Sequence, residues 1–200
     1  IQCCLVGSEM CIRDRSTIDI VIEASTDKTT LCNFTNHSYF NLDGTKNIAN
    51  HQLMVECDKV LPVDENGIPI SGPIFAKDLD LDFKTGRTLN NNGKPIEVDH
   101  NFCISNTRQN LRRNAFVTAK NISLELFSTE PGLQVYTGKG LNSRNEKIWG
   151  KYPYREFAGI ALEPQIWPDA PNQIDFPNPL LQPGDKYKHH TRLKFSRTKI

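Results

Sequence analysis

Several features that mark other protein classes are lacking from this chain of 200 residues. The 24 basic and 23 acidic side chains nearly balance, and no basic run carries interleaved aromatic residues. The sequence therefore gives no indication of a nucleic-acid-binding surface. No stretch approaches the roughly 20 apolar residues of a membrane-spanning helix, and the start lacks the basic-then-apolar order of a secretion signal. We expect no nucleic-acid partner and no membrane association.

The six cysteines lack the spacing of a disulfide framework. Three of them lie within the first eleven positions, and the others are scattered singly, at Cys32, Cys57 and Cys103. This distribution favours free thiols in a reducing compartment. One of three N-glycosylation triplets starts at Asn36, where a glycan would lie beside a candidate catalytic histidine. The sequence therefore predicts a cytoplasmic protein.

Complete metal and phosphate motifs are also missing. The spacing of Asp78, Asp80 and Asp82 resembles the start of a calcium loop, but Phe83 replaces the required glycine and Leu89 the bidentate glutamate. We interpret these aspartates as a solvated strand face.

Neither the adjacent histidines nor the glycines supply such a motif. His189 and His190 would point to opposite faces of a strand and could not easily bind one metal ion. Gly93-Lys94 lacks the following Ser or Thr of a phosphate-binding loop. We expect no metal and no cofactor.

Alternating hydrophobicity is the main structural pattern. From Thr17 onward, Ile18, Ile20, Ile22 and Ala24 fall on one face, which predicts a strand. The same period of two recurs at 53–57, 122–126 and 187–195, and helical spacing is nowhere sustained. Turn sequences separate these segments, at Asp43-Gly44, Asn66-Gly67, Asn92-Gly93 and Pro183-Gly184. The pattern predicts an all-β chain, a sandwich or a barrel.

Proline is concentrated in one segment. Six of the twelve prolines lie between Pro164 and Pro183, a density that we take to exclude a central strand. We expect a long, stiff loop there, suited to the rim of a binding cleft.

The first fifteen residues follow neither period. They start without methionine and carry three of the cysteines. We interpret residues 1–15 as a non-native or artefactual segment, and residues 16–200 as part of one domain.

Two side chains are candidates for acid–base chemistry. His37 lies among hydrogen-bonding neighbours in Asn36-His37-Ser38-Tyr39, which could fix its tautomer and aim it as a proton donor. Glu163 follows an apolar stretch and precedes Pro164, so it should be partly desolvated. Desolvation would raise its pKa above about 4.3 and make it a better base near neutrality.

Two further polar residues could bind the hydroxyl groups of a ligand. Asp99 lies in a strand-like stretch that begins at Pro95, and its carboxylate could accept hydrogen bonds from hydroxyl groups or cap a turn. Gln134 alternates with apolar neighbours and would face either a polar cleft or solvent.

The chain resembles the aldose 1-epimerase (galactose mutarotase) family from about residue 16 to its end. Five segments carry the resemblance in the family's order: Thr35-Asn36-His37-Ser38-Tyr39-Phe40-Asn41-Leu42, Val98-Asp99-His100-Asn101-Phe102, Gly132-Leu133-Gln134-Val135-Tyr136-Thr137-Gly138, Leu162-Glu163-Pro164-Gln165 and Phe176-Pro177.

The resemblance implies a large antiparallel β-sandwich that interconverts the α and β anomers of aldohexoses such as D-galactose and D-glucose, without a cofactor. It implies that His37 is the general acid at the ring oxygen and Glu163 the general base at the C1 hydroxyl. The sugar-contacting positions it implies are His37, Ser38, Tyr39, Asp99 and Gln134.

Family members extend further at the N-terminus, where an arginine and a His-Gly-Gly histidine complete the sugar site. This chain contains no His-Gly-Gly. We therefore expect that the N-terminal part of the sandwich is missing, and that the chain is poorly stable and weakly active or inactive. We expect a monomer or weak homodimer.

Two alternatives remain open. A catalytically silent sugar-binding module would not need both His37 and Glu163. A hexose-phosphate 1-epimerase would need a basic cluster beside the cleft. No such cluster is apparent near the matched segments, although Arg144, Lys147 and Lys151 could reach the rim.

Overall fold

The computed structural model describes the backbone of residues 4–14, 16–143 and 153–197, and side chains from residue 16 onward. The strands in chain order are β1 (Cys4–Asp14), β2 (Thr17–Thr26), β3 (Thr30–Leu31), β4 (Tyr39–Phe40), β5 (Gln52–Val55), β6 (Lys59–Val60), β7 (Ile74–Phe75), β8 (Arg87–Thr88), β9 (Asn90–Asn91), β10 (Lys94–Pro95), β11 (Asp99–Phe102), β12 (Arg112–Ala119), β13 (Ile122–Ser128), β14 (Gly132–Tyr136), β15 (Ile160–Gln165), β16 (Leu180–Leu181) and β17 (Tyr187–Arg197).

Two antiparallel sheets form the molecule. One has seven strands in the order β1-β2-β17-β13-β12-β5-β8, and the other has six in the order β4-β15-β14-β11-β6-β7. The hairpin β9-β10 and the pair β3-β16 complete the described strands. One core cluster draws buried side chains from both sheets, including Leu53, Val117, Leu124, Phe102, Leu133 and Ile160. The sheets therefore pack face to face, and the predicted all-β antiparallel sandwich is confirmed.

The alternating segments form the predicted strands, except that the strand predicted at 53–57 ends at Val55. In β17 the buried positions are Tyr187, His189, Thr191 and Leu193, as a period of two requires. Each of the predicted turns contains a glycine with positive φ, for example Gly67 at 78°. Such a conformation favours glycine because it has no Cβ.

The proline-rich segment differs from the prediction at its start. Pro164 lies within β15, which has neighbours on both sides in the six-stranded sheet. It is tolerated because β4 pairs only with Ile160 and Ala161, so β15 is an edge strand where Pro164 lies. The predicted loop was therefore wrong for 164–165, which belong to a strand, whereas most of 166–183 is irregular, as expected.

The aspartate-rich segment also differs from the prediction. Asp78 lies in a short 3₁₀ helix, Ala76–Leu79, and Asp80 ends it with a left-handed φ of 56°. Arg87 binds both carboxylate oxygens of Asp80, at 2.9 and 3.0 Å. The aspartates are exposed to solvent as predicted. The predicted strand was wrong, because the backbone forms a short 3₁₀ helix and a turn there.

Helical structure in the described part of the chain is limited to short 3₁₀ segments such as Ala76–Leu79 and Ala170–Asn172. No helix there is long and apolar enough to cross a membrane.

The first fifteen residues, interpreted from the sequence as non-native, are partly described. Its residues 4–14 form β1, which pairs with β2 from Cys4 opposite Thr26 to Asp14 opposite Thr17. The large sheet thus continues into this segment. The non-native origin of residues 1–15 stays a prediction.

Candidate active site

Strand register brings His37 to Glu163. In the pairing of β4 with β15, Tyr39 lies opposite Ala161 and Phe40 opposite Ile160. Two residues beyond Tyr39, the same antiparallel register places position 37 opposite position 163. His37 Nε2 lies 3.4 Å from Glu163 Oε1. The two candidate groups, 126 positions apart in sequence, are neighbours in space.

Asp99 and Gln134 share the sheet face that carries Glu163. Gln134 is paired with Glu163 on one side and with Asn101 on the other, and Asp99 is two residues from Asn101 on the same face. Gln134 Nε2 donates a hydrogen bond to Asp99 Oδ1 at 2.7 Å. The opposite face of these strands carries core residues such as Leu133. The three strands therefore present one row of polar side chains outside the core.

Tyr39 belongs to this polar row. Its ring centroid lies 4.9 Å from that of His37 and 6.2 Å from that of Tyr136. Burial, with the nearby Tyr136, Glu163 and Asp99, raises the pKa of the Tyr39 phenol, which stays protonated at neutral pH. A cavity of about 370 Å³ adjoins Tyr39. An aromatic wall thus borders the acid–base pair.

Ser38 is oriented differently. Its Oγ donates a hydrogen bond to Asn36 Oδ1 at 2.6 Å. The structure therefore brings five of the six predicted site residues into one polar cluster, while the Ser38 hydroxyl is directed at its own loop.

Glu163 lies in a poorly solvated position. Only 7% of the residue is exposed, whereas half of the His37 side chain is accessible. Burial raises the pKa of the Glu163 carboxyl, His37 opposes this rise and the charge of Asp99 adds to it. The predicted desolvation is present, and a carboxylate with a raised pKa is a stronger base.

Two side-chain carbonyl oxygens of the row lack hydrogen-bond partners in the described part of the chain. Gln134 Oε1 and Asn101 Oδ1 are buried and have no hydrogen-bond partner within the described residues. Most buried polar groups are paired, and exceptions often mark functional positions. Both oxygens can accept a hydrogen bond from a hydroxyl group.

Sequence reasoning missed His51. Its ring is fully buried, and Nε2 accepts the backbone N–H of Leu42 at 2.8 Å. Burial lowers the pKa of His51, which keeps the ring neutral and able to accept this bond. The alternating pattern could have indicated it, because His51 falls on the same face of the extended segment as the buried Leu53 and Val55.

No group of three or more metal-binding side chains suited to one ion occurs among the described residues. His189 Nδ1 lies 3.0 Å from Phe34 O, and His190 Nε2 lies 2.7 Å from Asp19 Oδ1. Their predicted location on opposite faces is confirmed. The basic residues considered for a phosphate lie outside the described residues: Arg144, Lys147 and Lys151.

Known proteins match most of this chain. A family model described as aldose 1-epimerase matches residues 9–194. The chain is 37% identical to the galactose mutarotase of Homo sapiens over 195 residues, covering 92% of this chain and 55% of that protein. It is 33% identical to the aldose 1-epimerase of Escherichia coli (strain K12) over 196 residues, covering 92% and 56%.

A similar fold occurs among solved structures. A GalM/aldose epimerase homologue from C. elegans superposes with a TM-score of 0.87 at 27% identity, covering 98% of this chain and 61% of that chain. The present chain spans about half the length of the curated relatives it matches.

Proposed function

The chain belongs to the aldose 1-epimerase family, and we propose that its site interconverts the α and β anomers of aldohexoses such as D-galactose and D-glucose. In this proposal His37 is the general acid and Glu163 the general base. Asp99, Gln134, Tyr39 and Ser38, together with His37, bind the sugar.

The reaction needs two coordinated proton transfers. Protonated His37 gives its proton to the ring oxygen while Glu163 takes the proton of the C1 hydroxyl. The bond between C1 and the ring oxygen breaks, and the C1 carbonyl forms. After rotation about the C1–C2 bond, the hydroxyl group formed from the ring oxygen attacks the other face of the aldehyde. It returns a proton to His37 as Glu163 protonates the carbonyl oxygen, so both groups are regenerated.

The observation that carries this proposal is the 3.4 Å separation of His37 Nε2 and Glu163 Oε1. The two oxygens that exchange protons are bonded to the same carbon, so the acid and the base must act within a few ångströms of each other. The raised pKa of Glu163 supports its role as the base. A protein that only binds sugar would need neither property.

We propose the cytoplasm as the location and a small aldose as the partner. Cys57 and Cys103 are buried free thiols, which supports a reducing compartment. For the assembly we propose a monomer or weak homodimer.

Polarimetry of freshly dissolved α-D-galactose tests the function. We expect the chain to accelerate mutarotation over the buffer rate, and His37→Asn and Glu163→Gln each to reduce that acceleration by about 10²- to 10⁴-fold, the usual contribution of a positioned acid or base. Since the sequence predicts that the chain is weakly active or inactive, the assay uses a high protein concentration. Glu97→Gln is the matched control, because Glu97 is exposed and paired with Lys139.

Two results would contradict the proposal. If both variants still accelerate mutarotation as the wild type does, His37 and Glu163 are not the acid and the base. Saturable galactose binding in an NMR titration without any acceleration would indicate the silent sugar-binding module instead.

A further inference from the structure

We propose that the side-chain amides of Asn33 and Asn41 are positioning clamps, which hold the acid-bearing segment against β15 and so keep His37 opposite Glu163. This inference rests on the proposed function for its catalytic meaning. Its structural content, the location of His37, can be measured without any assay of activity.

The need for such clamps follows from the shortness of β4. Its pairing with β15 covers only Tyr39 and Phe40, and it stops two residues before His37. The strand β15 then reaches Pro164, which has no N–H to offer a neighbouring strand. Backbone pairing with β15 therefore does not extend over the segment that carries the acid.

The contact between His37 and Glu163 is too weak to keep the segment that carries His37 in place. The His37 side chain is half exposed, and its nitrogen lies 3.4 Å from the carboxylate. A pair at this separation with one partner half exposed is too weak a restraint to fix a loop in one conformation.

Asn33 forms the first clamp, four residues before His37. Its Oδ1 accepts the backbone N–H of Ile166 at 2.9 Å, and its Nδ2 donates to the carbonyl of the same residue at 3.2 Å. The side-chain amide thus makes the two hydrogen bonds that a paired backbone residue would make. Ile166 is buried and lies three residues after Glu163.

Asn41 forms the second clamp, four residues after His37. Its Nδ2 donates to the carbonyls of Ala158 and Thr45, both at 2.9 Å. Its Oδ1 accepts the backbone N–H of Gly44 at 3.0 Å. One side chain therefore fixes the turn that follows β4 and ties it to the residues that precede β15.

The two clamps enclose segments of equal length. Residues 33–41 and 158–166 each contain nine residues, with His37 at the centre of the first and Glu163 near the centre of the second. Because hydrogen bonds join the two segments near both of their ends, one segment cannot slide along the other. The arrangement sets the separation of acid and base through groups that touch neither the substrate nor the reacting atoms.

The first test measures the Glu163 pKa by carboxyl-carbon NMR. The charge of His37 lowers this pKa, while burial and Asp99 raise it, so loss of His37 from its position should raise it further. We expect Asn33→Ala and Asn41→Ala to raise the Glu163 pKa towards the value in His37→Asn. Adding either change to His37→Asn should have no further effect.

The matched control is Asn178→Ala. Asn178 Oδ1 accepts the backbone N–H of Leu180 at 2.9 Å, outside both clamped segments. Its loss should leave the Glu163 pKa unchanged. Asn33→Asp keeps the acceptor for the Ile166 N–H and loses the donor, so an intermediate shift is expected if Asn33→Ala fails to fold.

The second test measures mutarotation. We expect the two alanine variants to lower kcat by about 10- to 100-fold, the effect of a displacement on the order of 1 Å, with a smaller change in KM. A Glu163 pKa that moves in His37→Asn but stays at the wild-type value in both clamp variants would overturn the inference. A wild-type chain without activity would contradict the proposed function alone, because the NMR titration would still locate His37.

Discussion

Asp19 on the seven-stranded sheet and Glu163 on the six-stranded sheet form an instructive pair. Both are carboxylates on strands, with 2% and 7% of their surface exposed, and each faces a histidine. Their pKa values nevertheless shift in opposite directions. Burial alone therefore does not decide whether a carboxylate becomes structural or reactive.

The partners of Asp19 account for its shift. Burial would raise the pKa of Asp19, but hydrogen bonds from Arg192 and His190, with their charges, hold it below its usual value. Arg192 Nε and His190 Nε2 both lie 2.7 Å from Asp19 Oδ1, and a second Arg192 nitrogen lies 3.3 Å from Oδ2. A carboxylate with these donors stays charged and stabilises the sheet.

Glu163 has a histidine at 3.4 Å and a second carboxylate, Asp99, within electrostatic reach. Burial is the largest influence on its pKa, and it is not offset as it is at Asp19. The difference shows that the fold stabilises one buried carboxylate and leaves the other with a raised proton affinity.

The comparison predicts its largest effect for Asp19→Asn. We expect the free energy of unfolding at pH 7 to fall by about 1.5–3 kcal/mol, the range for hydrogen bonds to charged groups. Since the pKa of Asp19 is lowered in the folded state, its stabilisation is present above the unfolded value of 3.8 and is lost as pH falls through the lower folded value. The loss should therefore shrink in acid.

Urea unfolding of both proteins across pH provides the measurement. Glu23→Gln is a suitable control, because Glu23 lies on the same strand in an exposed pair with Lys188. Equal free energies of unfolding for Asp19→Asn and wild type at neutral pH would contradict the claim that Asp19 stabilises the fold.

A smaller effect of opposite sign is expected for Glu163→Gln. Removing a buried charge should leave stability unchanged or raise it by about 0.5–2 kcal/mol, as is common where activity requires a destabilised site. The pKa of Glu163 is raised in the folded state, so the charged form is destabilising above that raised value. The difference should vanish below the unfolded value of 4.5, where both states are protonated. The same urea titrations measure it, and a clear loss of stability would show that Glu163 is structural.

The smallest effect is expected for Asp99→Asn on the pH profile of mutarotation. Activity should fall as pH decreases through the raised pKa of Glu163, because a protonated base cannot accept a proton. Asp99 contributes to that raised pKa, so the variant should move the acidic limb of kcat to lower pH. Polarimetry at a series of pH values checks this, and an acidic limb that moves upward would contradict the electrostatic coupling.

Much of the architecture was predictable from local patterns. Alternation at residues such as Ile20 and Leu193, and glycine turns such as Gly67, specify strands and reversals because side-chain period and backbone sterics act over a few residues. Local reasoning was wrong for Pro164 and Asp78. At Pro164, the shortness of β4 left this position of β15 without a paired strand on one side, so the proline could be accommodated. At Asp78, a short helix held the backbone where a strand face was expected.

The candidate residues could be named from the sequence, but their relation could not. Chemistry and family resemblance single out His37 and Glu163, since residue type is a property of the chain. Their contact depends on the register of β4 with β15 and on the amides of Asn33 and Asn41, which bind backbone atoms more than 110 positions away. The opposite pKa shifts of Asp19 and Glu163 have the same origin. Desolvation and charge act through space, so they are determined only when the sheets have brought distant residues together.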